Sequence, residues 1–152
     1  MSRKSVHVTA ESMATPSQVW TLLADGPSWT RWAGFDEVDY DREGTPAPHG
    51  LGAVRRIRIG RLSSIENVLA FEEDRLFSYD YVGTLPFKAY RADVTLTAVE
   101  GGTFIDWRSQ FTTKYPFTGS LLRLVMTRVL TDISKRLAAA AEGVAADGAS
   151  AS

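Results

Sequence analysis

The side chains best suited to chemistry lie inside strand-like segments. Val54-Arg55-Arg56-Ile57-Arg58-Ile59 sets Arg55 on one face with Ile57 and Ile59, and Arg56 and Arg58 on the other. With the isoleucines turned inward, Arg55 points to the interior, where a guanidinium can hold a carboxylate or phenolate. Its competing role is an ion pair with Glu66 or Asp106 on another strand. Phe77, Tyr79 and Tyr81 share one strand face, and so do Ile105, Trp107, Ser109 and Phe111. Such faces either line a pocket with flat rings and two orienting hydroxyls or simply fill a core. For proton transfer in an interior site the sequence offers Glu66, Tyr79 and Tyr81.

The remaining candidates carry less. His49 lies in the loop Glu43–Gly50, where an imidazole near its free pKa can act as a base. No neighbour in sequence orients it, so a plain surface-loop histidine is expected. His7, Asp106 and Arg108 fall on outward faces. His49-Gly50-Leu51-Gly52 lacks the lysine of a phosphate loop and opens a strand. With two histidines and no cysteine, thiolate chemistry, disulfides and cysteine–metal sites are excluded, and no metal or cofactor is expected.

The 152 residues suit one domain. A composition of 44% hydrophobic and 23% charged residues is that of a globule with a core. The net charge of −1 provides no global basic field for nucleic acid or an anionic membrane. No apolar run approaches the ~18 residues of a spanning helix, and no secretory leader is evident, so a cytoplasmic protein without membrane insertion is expected.

Alternation at Val6–Ala10 predicts a first strand. Thr15-Pro16 opens a short helix carrying Val19, Trp20, Leu22 and Leu23, and a second short turn carries Trp29 and Trp32. Strands are expected near Phe35–Arg42, Gly52–Ile59, Leu62–Phe71, Leu76–Val82, Phe87–Val99 and Thr103–Thr113, joined by turns too short for parallel crossovers. A last helix is expected from about Thr118 to Glu142. Its stripe of Leu121, Leu122, Val125, Met126, Val129, Leu130, Ile133 and Leu137 is expected to be fully used in packing on the sheet, so that a membrane-surface role is unnecessary. The reading is α+β, with seven antiparallel strands and a long helix across them.

That order of elements resembles the helix-grip fold of the START-like and Bet v 1-like (SRPBCC) superfamily. Thr15-Pro-Ser-Gln-Val-Trp-Thr-Leu-Leu-Ala-Asp, Trp29-Thr-Arg-Trp, His49-Gly-Leu-Gly-Ala-Val-Arg-Arg and Gly101-Gly-Thr-Phe-Ile-Asp-Trp are similar to its polyketide cyclase/dehydrase-like branch. The resemblance spans Val6 to about Ala140. It implies one ligand-binding domain over 1–142, while the Ala/Gly/Ser composition of 143–152, with nothing to bury, predicts a disordered tail. The resemblance also implies a curved seven-stranded sheet wrapped around the C-terminal helix and a cavity between them for an apolar or amphipathic molecule. It transfers no catalytic residue.

The leading expectation is therefore binding of a hydrophobic, ring-containing, lipid- or polyketide-like molecule by a monomer or homodimer. Tyr79, Tyr81, Trp107 and Phe111 would form walls, Ile57 and Glu66 would share the interior face, Arg55 would anchor an acidic group, and Met126 and Val129 would form the helix side. The alternatives are a cofactor-free cyclase, dehydratase or aromatase, favoured by a Glu66 buried beside Arg55, and a protein-interaction module whose interior is filled, with no pocket of ~300 Å³.

Overall fold

The computed structural model describes residues 3–151, with side-chain surroundings through 146. Strands β1 (Lys4–Ser12), β2 (Glu37–Arg42), β3 (Val54–Ile59), β4 (Leu62–Glu72), β5 (Leu76–Gly83), β6 (Phe87–Val99) and β7 (Gly102–Thr113) form one sheet. Their order is β1-β7-β6-β5-β4-β3-β2, with every neighbouring pair antiparallel. Helix α1 (Pro16–Ala24), a 3₁₀ turn at Gly26–Ser28 and α2 (Trp29–Trp32) separate β1 from β2, and α3 (Gly119–Ala151) follows β7. This is the α+β helix-grip architecture.

Helix α1 begins where its cap dictates. Thr15 Oγ1 accepts from the Gln18 amide at 3.2 Å, the Gln18 side chain accepts from the Thr15 amide at 2.8 Å, and Pro16 presets the first helical residue. The tryptophans then pin the short helices over the sheet with their polar edges satisfied. The Trp29 indole N–H donates to the Leu23 carbonyl at 3.1 Å, and that of Trp32 to Ser28 Oγ at 3.0 Å.

Burial alternates along β7 as expected, with Ile105, Trp107, Ser109 and Phe111 inside. Strand β6 departs from alternation. The register shifts between Lys88 and Arg91, where Ala89 takes a φ of 50°. That bulge turns both Phe87 and Tyr90, three positions apart, toward the interior.

Helix α3 differs from expectation in two respects. It does not stop at Glu142: the stretch from Gly143, expected as a disordered tail, is helical through Ala151, while Ser152 lies outside the described residues. The segment has alanines, no proline, and Ala145 packed against the core, so nothing terminates the helix. Nor is the whole apolar stripe buried. Met126, Leu130, Ile133, Leu137 and Ala141 face the sheet, but Leu121 is 64% exposed and Val125 and Val129 are also exposed. The C-terminal half is clamped to the end of β1, where Ser12 Oγ donates to the Ala138 carbonyl and the Met13 amide donates to Glu142 Oε1, each at 2.8 Å. The N-terminal half overhangs the concave face.

Candidate functional site

Under that overhang lies a cavity of about 390 Å³. Ile57 and Ile59 of β3, Ser64 and Glu66 of β4, and Tyr79 and Tyr81 of β5 form its sheet side, because residues two apart on a strand share a face. The bulge in β6 adds Phe87 and Tyr90. Val125, Met126 and Val129 roof it from α3, and Trp29 and Phe35 close one end. The volume lies within the ~300–1,000 Å³ usual for small-molecule sites, which removes the premise of a filled interaction module.

Of the candidates read from the sequence, Ile57, Glu66, Tyr79, Tyr81, Met126 and Val129 line this space. Arg55, Trp107 and Phe111 do not; each is buried in the core outside its lining. Trp107 donates its indole N–H to the Tyr79 hydroxyl at 3.3 Å, and Phe111 packs on Phe87 with ring centres 4.7 Å apart. These two therefore set the attitude of wall residues. Phe87, Tyr90 and Trp29 escape a sequence reading: a bulge breaks the two-residue period, and Trp29 sits on a helix whose rings are expected to pack elsewhere.

Arg55 and Glu66 stand directly opposite in the β3–β4 register. Arg55 Nη2 donates to Glu66 Oε1 at 2.5 Å, and both residues are buried. The guanidinium lies over the rings of Trp29 and Phe77, 5.0 and 5.1 Å from their centres. Arg55 is thus engaged by Glu66 through Nη2 alone, its Nε and Nη1 being buried without a hydrogen-bond partner among the described residues, and the member of the pair that borders the cavity is the carboxylate. Burial pushes Glu66 above the usual carboxylate range, against the opposing pull of Arg55. Burial likewise raises the phenols of Tyr79, Tyr81 and Tyr90, keeping them neutral hydrogen-bonding groups.

His49 is placed differently from the expected plain surface residue. Its Nδ1 is hydrogen-bonded to the Tyr40 hydroxyl, which also accepts from the Gly26 amide at 3.2 Å. Nε2 lies 3.9 Å from Asp25 Oδ1. The group borders a separate surface depression with Trp20 and Phe71, and shares no lining residue with the cavity. Asp106 is tied to His7 at 3.0 Å and to Arg108 at 2.9 Å on the far side of the sheet. Among the described residues no three histidine or acidic side chains converge as a metal would require.

Residues 3–142 match the family model for polyketide cyclase / dehydrase and lipid transport proteins, so the chain belongs to that family. An uncharacterized protein of Mycobacterium tuberculosis is 27% identical over 103 residues, which cover 65% of this chain and 60% of that protein. The chain thus matches about 60% of the length of that relative. Among solved structures, a START superfamily protein from Mycobacterium smegmatis superposes with a TM-score of 0.80 at 14% identity, over 92% of this chain and 98% of the other. The Zhui aromatase/cyclase from Streptomyces sp. R1128 gives 0.76 at 17% identity, over 93% and 94%. These likenesses establish the fold. No helix among the described residues is long and apolar enough to cross a membrane.

Proposed function

We propose that this is a cytoplasmic domain that binds a hydrophobic, ring-bearing small molecule between the sheet and α3. The observation that carries the reading is a cavity of about 390 Å³ walled mostly by aromatic and aliphatic side chains, with one buried carboxylate, Glu66, among them. Apolar burial supplies most of the affinity: covering ~200 Å² of ligand surface is worth about 5 kcal/mol before the entropy of association. The carboxylate supplies direction. Because Glu66 lines the cavity and Arg55 does not, an acidic ligand group would meet the carboxylate before the guanidinium. The ligand therefore presents a hydroxyl or amine, which donates to Glu66 while its rings lie against Tyr79, Tyr81 and Tyr90.

A second reading, a cofactor-free cyclase or dehydratase, draws on the same placement. A carboxyl group with a raised pKa beside a fixed cation is suited to moving a proton, and three neutral phenols can orient a carbonyl.

Native mass spectrometry of the purified protein, followed by solvent extraction, tests the binding reading. The expected result is a discrete added mass that leaves on denaturation and proves to carry a ring and a hydroxyl or amine. An extracted carboxylic acid or unbranched alkane would contradict it.

A further inference from the structure

The start of α3 and the turn before it form an apolar surface that nothing in the fold covers. Phe117 is fully exposed and holds a φ of 66°, a conformation that a bulky side chain rarely adopts. Beside it Tyr115, Leu121 and Leu124 are more than half exposed, and the patch runs into the cavity roof through Val125 and Val129. Further along, the solvent face of α3 becomes charged, with Asp132 and Arg136 paired at 2.8 Å. The exposed apolar stretch is therefore confined to the end beside the cavity.

The charges carried by this segment have one sign up to Asp132. From Trp107 through Thr131 the chain holds no aspartate or glutamate, while Lys114, Arg123 and Arg128 are all exposed. Among the described residues none of the three is in an ion pair, whereas Arg56, Arg58, Arg75 and Arg108 each have an acidic partner.

We infer that this end of the molecule docks on an anionic lipid bilayer, with Phe117 and Leu121 entering the interface and Lys114, Arg123 and Arg128 meeting the headgroups. Projecting apolar side chains ringed by cations suit a soft hydrocarbon boundary, which needs no matching shape. A second copy of the chain fits poorly, because a two-fold contact would set cations against cations. Docking in this orientation would turn the cavity's helix side toward the membrane. The inference does not depend on which molecule the cavity accepts.

The test is flotation of the full chain with phosphatidylcholine vesicles and with mixed phosphatidylcholine–phosphatidylglycerol vesicles. Binding is expected to the mixed vesicles and to fall by at least about tenfold for R123E/R128E and for F117S/L121S. These residues are exposed, so the thermal midpoint of each variant should match that of the parent, which separates lost docking from lost folding. A tryptophan introduced by Phe117→Trp should shift its emission to the blue on adding mixed vesicles. Equal binding to both vesicle types, or none to either, would overturn the inference. Self-association that F117S/L121S abolishes, without vesicle binding, would assign the patch to a second copy instead.

Discussion

Replacing Arg55 with methionine is expected to destabilise the fold by about 3–5 kcal/mol at neutral pH, the usual consequence of removing one partner from a buried ion pair. Both groups are buried, with Arg55 1% and Glu66 8% exposed, so removal of the guanidinium leaves a poorly hydrated carboxylate without its counter-charge. Burial already raises the Glu66 pKa, and Arg55 is what opposes the rise. Without it the folded carboxyl binds a proton that the unfolded chain releases. Between the ordinary carboxylate value and the raised one, the native state then holds more protons. Stability is accordingly retained below that window and lost as pH rises through it. The R55M defect should shrink as pH is lowered. The Glu66→Gln defect should not, because a guanidinium stays charged. The double variant R55M/E66M, which removes both charges, should regain most of the loss. Urea unfolding at several pH values measures all four proteins. An R55M variant within about 1 kcal/mol of the parent at neutral pH would contradict the buried pair.

The second large effect concerns the cavity. Met126 is buried on α3 and faces the open space, so Met126→Trp should place an indole where a ligand's ring would lie. With about 390 Å³ available, the larger side chain fits without moving the helix. Affinity for 2-naphthol, a ring-bearing hydroxyl probe, should fall at least about tenfold, equivalent to about 1.4 kcal/mol. The thermal midpoint should hold or rise, since filled space adds packing contacts. Calorimetric titration and a thermal melt measure both quantities. Unchanged affinity in a folded M126W variant would place the probe elsewhere.

Much of the fold is legible in the sequence because its signals are local. The Thr15 cap, the alternation along β7 and the short turns each specify an element without tertiary help. The pairing of Arg55 with Glu66 was among the alternatives that strand parity allowed, but direct cross-strand opposition is a matter of register, which one sequence does not fix. That register sets both side chains on the interior face, with the carboxylate and not the cation bordering the cavity. Phe87 and Tyr90 were hidden by the bulge at Ala89, where two residues oppose fewer partners and the period fails. The apolar stripe of α3 read as a buried face because periodicity reports which side chains align, not how far the sheet extends beneath them.

Glu66, and not Arg55, is expected to meet the ligand. The most direct measurement is calorimetric titration of the parent protein with 2-naphthol and with 2-naphthoate, probes of similar shape that differ in donating a proton or carrying negative charge. R55M/E66M serves as the control without the charged pair. The parent should bind 2-naphthol at least about tenfold more tightly than 2-naphthoate, and the double variant should lose most of that preference. Tighter binding of 2-naphthoate by the parent would contradict the account, because it would mean that the guanidinium reaches the ligand after all.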